Sequence, residues 1–184
     1  MRVGIAHRGC TREGGHEVSR KQIVAALVLL PFIVFAFMLL LSGSRDVPGA
    51  FLGGGPFISG ELYTGPEPDW SFLIDRETVE MQLLEPPRSR VVWVAVHEGK
   101  PYVVSGFMGG LLGSFWKHWP EQALRDGRAI LRVDGRHYER QLVRITSGRA
   151  VMEGVSAELN RKYGFGEADS IEAGDTWLFE LALR

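Results

Sequence analysis

A single cysteine, Cys10, occurs in the 184 residues. No intrachain disulfide can form, and cysteine usage does not report a redox compartment. A basic excess is missing too, since the formal charge is −1. The little there is sits at one end: Arg2, Arg8, Arg12, Arg20 and Lys21 face Glu13 and Glu17, a net of +3 over residues 1–22, which leaves −4 for the remainder. A mildly acidic globular part lacks the basic footprint that displaces counterions from phosphate backbones, which argues against nucleic acid as a partner. The five histidines, His7, His16, His97, His118 and His137, form no HExxH and no Cys/His cluster. His137 and Glu139 share a strand face but fall short of the three protein ligands typical of catalytic zinc. No serine stands in a G-x-S-x-G elbow, so a hydrolase triad has no anchor. The Gly53-Gly54-Gly55 run lacks the Lys-Ser/Thr and the strand-to-helix context of a phosphate loop, and it reads as linker. No internal repeat is evident.

One feature is present in full, an uncharged run of nineteen residues, IVAALVLLPFIVFAFMLLL, from Ile23 to Leu41. As a helix it would be roughly 28 Å long, close to the hydrocarbon thickness of a bilayer. Pro31 predicts a kink there and not a break, because membrane helices tolerate proline. Ser42-Gly43-Ser44 offers small residues for signal cleavage. The run, however, exceeds the usual 7–15 residues of a signal h-region, and a long polar tail precedes it, so a retained anchor is the better reading. Basic residues crowd the N-terminal side, which predicts a cytoplasmic N-terminus and a domain on the extracytoplasmic side, with membrane lipid as a partner.

The rest of the chain divides at residue 70. Residues 42–69 hold seven glycines and four prolines, a composition that cannot propagate a helix and reads as a tether. From residue 70 to 184 the pattern is that of a single strand-rich domain. Residues 71–75 and 79–86 are short strand candidates. In residues 90–107, Glu98-Gly99 separates two runs rich in Val, Trp and Tyr, which marks a hairpin. Both faces of Val91–Val96 are apolar, so this strand should be covered on both sides, in a barrel wall or at an oligomer interface. Pro120 and Gly127 bracket a helix of about two turns. Residues 128–133 and 136–145, joined by Asp134-Gly135, read as a second hairpin with a type I′ turn. Val151, Val155 and Leu159 recur at helical spacing with Gly164 as the stop, and residues 176–184 close the chain as a strand.

If the 90–107 hairpin packs on the helix after it, Arg90, Ser105, Trp116 and Lys117 converge at the hairpin's open end. Two cations and a hydroxyl suit a phosphate, and Trp116 and Trp119 could flank a flat ring. From these residues alone, core tryptophans and solvated cations are the plainer account.

The order of these segments adds a resemblance. The stretch PPRSRVVWVAVHEGKPYVVSGF, a glycine loop, then SFWKHWPEQALRDGRAILRVDGRHYERQLVRI, a helix and a last strand resembles the split β-barrel of the pyridoxamine 5′-phosphate oxidase-like superfamily. It is nearest the deazaflavin-dependent nitroreductase branch, and it covers residues 70–184. The resemblance implies an α+β split barrel of six to seven mostly antiparallel strands with two helices. It also implies a homodimer with flavin mononucleotide or a deazaflavin at the subunit interface. Arg90 would contact the cofactor phosphate, Ser105 would supply a hydroxyl, and Lys117 would be a basic residue after the glycine loop. The family's Ser-x-Lys-Gly-Arg run and the branch's Gly-Arg-Lys-Ser-Gly turn are absent, Glu85-Pro86-Pro87-Arg88-Ser89 standing in place of the latter. The implied function is a membrane-anchored oxidoreductase acting on a small redox acceptor. The alternative is a cofactor-free or haem-type barrel that serves as a binding or scaffold module, which an extracytoplasmic location favours because flavins are made inside the cell.

Overall fold

The structure, a computed structural model, describes residues 20–42, 46, 48, 53–106, 108 and 118–184. Two compact units divide the chain near residue 38. Helix α1, Arg20–Ser42, carries Pro31 inside it and belongs to the first unit as far as Met38. Its backbone takes in the whole uncharged run, and every side chain described in it is exposed. Among the described residues no helix is long and apolar enough to cross a membrane.

The second unit is built on seven strands: β1 (Glu61–Leu62), β2 (Thr78–Leu84), β3 (Pro87–His97), β4 (Lys100–Ser105), β5 (Arg128–Val133), β6 (Arg136–Ile145) and β7 (Trp177–Leu183). Strands β2 to β7 are antiparallel in the order β6-β5-β2-β3-β4-β7, and a further pairing of β6 with β7 closes them into a six-stranded barrel. β1 is an extra strand, parallel to the first residues of β6. Helix α2 (Trp119–Arg125) precedes β5, and α3 (Arg149–Tyr163) and α4 (Ala168–Glu172) lie between β6 and β7. The domain is an α+β split barrel.

Alternation along the strands sorts side chains to the two faces of the wall. Val79, Met81, Leu83, Val92, Val94, Val103, Ala129, Leu131, Phe179 and Leu181 point inward and form one core cluster. Ala95, Tyr102, Val104 and Leu178 point outward, where Met152, Val155 and Leu159 of α3 and Ile171 of α4 cover them. The two apolar faces expected of β3 are therefore met by the barrel interior on one side and the chain's own helices on the other.

Both hairpin turns have the backbone their sequences demand. Glu98 and Gly99 have φ of 51° and 74°, and Asp134 and Gly135 have 50° and 76°; two successive positive φ values define the type I′ turn. Gly164, at φ 70°, ends α3 with its N–H on the Asn160 carbonyl.

Three expectations need correction. Residues 71–75 are not a strand: Asp69 caps a 3₁₀ turn over Trp70–Leu73, its side chain accepting from the Ser71 N–H at 3.0 Å. Trp70 and Leu73, both fully buried, hold that turn in the core. The described residues of 42–69 are not a free tether, because Gly54 bridges Ser89 and Asp46 binds Arg132 at 2.9 Å. Gly127 is needed for something other than stopping α2, which Asp126 already caps; a Cβ there would lie 2.6 Å from the Leu142 carbonyl oxygen.

Candidate functional site

Arg90 shares its strand face with Val92 and Val94, so it points into the barrel. It is half-buried, and among the described residues its Nε has no acceptor. Its guanidinium stands 6.0 Å from the ring centre of Trp119, the first residue of α2. Burial, with the charge of Arg88 added, pulls its pKa down to about 10. It is still a cation at neutral pH, held where a cation is disfavoured.

Ser105, at the end of β4, shares the inward face with Val103 and pairs in register with Trp177 of β7. The β3–β4 register, with Val94 opposite Val103, continues to place Ser105 across from Val92, one inward position from Arg90. The side chain is 3% exposed. Its hydroxyl donates to the Met108 sulfur at 3.4 Å, a weak acceptor that a stronger one would displace. Of the four residues expected to converge, the structure thus brings Arg90 and Ser105 to one end of the barrel. Trp116 and Lys117 lie outside the described residues. Trp119, expected to flank a ring, is a buried core residue against Phe179 at 5.4 Å.

A further residue belongs to this end. On β6, Tyr138, Arg140, Leu142 and Arg144 share one face, and Tyr138 and Leu142 belong to the interior core. Arg144 therefore also points inward. Its Cζ lies 3.6 Å from the ring centre of Trp177, and its Nε has no acceptor among the described residues. Burial lowers its pKa as well. The period-two pattern RHYERQLVRI carried the signal: an arginine falls on each position alternating with the apolar ones.

The barrel's other buried arginines are matched. Arg132, 6% exposed, holds Glu80 at 2.6 Å and Asp46 at 2.9 Å. Arg140, 2% exposed, has an unpaired Nε but binds Glu67 through Nη1 at 2.9 Å and lies over Trp70 at 4.8 Å. Arg90 and Arg144 have indole faces where these two have carboxylates. His137 and Glu139 go separate ways, the first stacked on Phe57 at 5.3 Å and the second paired with Arg184.

A closed barrel of six antiparallel strands, with α3 packed outside its wall, decides the architecture. The fold is a closed, six-stranded split β-barrel. Two solved structures similar to this split barrel are a conserved hypothetical protein of Mycobacterium tuberculosis and a Listeria innocua protein named as a candidate pyridoxamine 5′-phosphate oxidase. The first is 12% identical, covering 61% of this chain and 76% of its own, with a TM-score of 0.42. The second is 11% identical, covering 61% and 87%, with a TM-score of 0.43. No protein-family model and no curated protein matches the chain.

Proposed function

We propose that this split barrel is a membrane-anchored oxidoreductase-like protein that binds a phosphate-bearing flavin, either flavin mononucleotide or a deazaflavin, and serves a small redox acceptor. The observation that carries the reading is Arg90, a half-buried cation with no anionic partner among the described residues. A guanidinium so placed costs free energy unless an anion neutralises it, and a phosphate accepts its planar fork of donors. Ser105, one inward position away, can turn its hydroxyl from the Met108 sulfur to a phosphate oxygen. These residues fit the anionic end of such a cofactor. When bound, the cofactor would supply the hydride or electron chemistry; the chain's part is to bind and orient it. Lys117 and Trp116 are proposed as its further contacts, on sequence grounds. A two-fold dimer is proposed as the assembly, as the resemblance implies, and light scattering on the detergent-solubilised chain reads it.

The anchor is proposed from residues 23–41, which carry no charge and fall within one helix. The nitroreductase branch is proposed on the resemblance alone. A cofactor-free binding barrel is the second reading. It is favoured by the filled interior, where Met81, Leu83, Leu131 and Phe179 are fully buried and leave a ring system to lie outside the wall.

The test is titration of the purified chain with flavin mononucleotide and with a deazaflavin, followed by absorbance and by quenching of ligand fluorescence. Arg90→Ala removes a charge-assisted hydrogen bond of about 1.5–3 kcal/mol, so affinity should fall roughly ten- to a hundredfold. If neither ligand binds the wild type, or if the variant binds as well as the wild type, the oxidoreductase reading gives way to the binding barrel.

A further inference from the structure

Two arginines point into one barrel from opposite sides of its wall. Arg90 stands on β3 and Arg144 on β6, three strands apart in the closed order in either direction. They are nonetheless at the same end. Arg90 lies by Trp119, Trp119 packs on Phe179, Phe179 stands 6.5 Å from Trp177, and Trp177 lies under Arg144. The stagger of the strands produces this placement. From Arg90 the register runs through Met81 and Leu131 to Tyr138, whereas from Val94 it runs the other way through Val103 and Phe179 to Arg144. Strands so tilted carry Arg144 round to the level of Arg90. Ser105 is in register with Trp177 at that level.

The cost of this arrangement is electrostatic. Two half-buried guanidiniums of the same sign face a shared end of the barrel, and among the described residues neither holds a carboxylate. An indole face attracts a cation, but it adds no negative charge and leaves the N–H groups unfilled. Arg132 and Arg140 show what the same barrel does with buried arginines that need only structural support: each is given at least one acidic partner.

We infer that the barrel mouth holds an oxyanion site in which Arg90 and Arg144, with Ser105 between them on β4, clamp a phosphate group, the tryptophans Trp119 and Trp177 backing the two cations. The inference rests on the reading of Arg90 as a phosphate ligand and adds Arg144 as the second. Two guanidiniums match a phosphate monoester better than a carboxylate, since the monoester carries about −1.5 to −2 at neutral pH. The forks of Arg90 and Arg144 would engage different oxygens.

The indoles next to both cations supply a readout that needs no flavin. Inorganic phosphate is titrated into the full chain at constant ionic strength, chloride making up the balance, and intrinsic tryptophan fluorescence is followed. The wild type should respond saturably to phosphate and not to chloride. Arg144→Ala and Arg90→Ala should each weaken the response about ten- to a hundredfold. Arg144→Lys, which keeps the charge and loses the fork, should fall between wild type and the alanine variant and keeps the comparison open if Arg144→Ala does not fold. No saturable response in the wild type overturns the site. So does an Arg144 series that binds phosphate as the wild type does while melting at lower temperature, which would make Arg144 a lid on Trp177 and nothing more. A competition arm separates this inference from the cofactor reading. If phosphate binds through Arg144 but neither flavin mononucleotide nor a deazaflavin displaces it, the site stands and the flavin falls; if flavin mononucleotide binds wild type and Arg144→Ala alike, the flavin stands and the site falls.

Discussion

Asp46 illustrates how much one side chain in an apparently loose segment can be made to hold. Its carboxylate accepts from the Ser59 hydroxyl, from the Ile58 N–H at 2.5 Å, from the Ser59 N–H at 3.2 Å and from Arg132 at 2.9 Å. These donors, the Ser59 hydroxyl foremost, hold its pKa well below the usual carboxylate range. A carboxyl whose folded pKa is depressed contributes stability above its unfolded value, about 3.9, and that contribution is lost as pH falls through the folded value. Asp126, held at about 2 chiefly by the Arg128 side chain, acts in the same direction. Thermal melts from pH 7 to pH 3 should therefore show wild-type stability dropping below about pH 4. Asp46→Asn should start from a lower melting temperature and lose less of it on acidification. Superimposable acid limbs for the two proteins would refute the role given to Asp46. None of this was legible in the sequence, where the seven glycines and four prolines of 42–69 gave no reason to single out Asp46 among its four acids. Arg90 and Ser105 could be placed on strands because one precedes and the other follows a run of β-branched residues, while their role in a site is a proposal. For Arg144 the period-two pattern gives the strand face, but its neighbour Trp177 stands on another strand and no local pattern reveals it.

Among the elements, the two hairpins and α3 could be read from sequence because their signals are local. Asp134-Gly135 and Glu98-Gly99 need only their own φ values, and Val151, Val155 and Leu159 need only the helical period. The 3₁₀ turn at Trp70–Leu73 was misread because SFLID has strand-like composition, whereas the Asp69 cap and the long-range contact of Trp70 with Tyr138, at 5.1 Å, favour the turn. The C-terminal end of α3 secures this turn. Lys162 Nζ donates to the carbonyls of Leu73 at 3.3 Å, Arg76 at 2.5 Å and Val94 at 2.7 Å, while the Tyr163 hydroxyl donates to the carbonyls of Glu77 and Val94. Burial lowers the Lys162 pKa and raises that of Tyr163 to about 12. Lys162→Met would keep the apolar stem and strand the Arg76 carbonyl, while the Leu73 carbonyl keeps the Arg76 N–H at 3.1 Å, at a cost of about 1–3 kcal/mol. Urea unfolding of the two proteins measures it. A difference under about 0.5 kcal/mol, the usual scale of a surface substitution, would mean that water replaces the ammonium without penalty.

At the scale of the whole molecule, the order of elements along the chain and, through the resemblance, the barrel class were legible in the sequence, but the order of strands in the sheet and its closure were out of reach. The β6–β7 pairing is set by the registry of Leu142 with Leu181, and no short segment encodes it. The proposed topology is tested at the same scale. The crowding of basic residues before Ile23 predicts an N-terminus in the cytoplasm, so a reporter active only outside the cytoplasm, fused after Arg184, should be active. Activity of a cytoplasm-only reporter at that position would reverse the orientation. Closure has a consequence for synthesis. β7 is the last barrel strand to be made, and it lies between β4 and β6, pairing with both. While the ribosome is still adding residues before Trp177, β4 and β6 each present a bare row of backbone donors and acceptors. The nascent chain is thus sticky on two flanks from the completion of β6 at Ile145 until β7 begins at Trp177, and that single late strand removes both hazards at once.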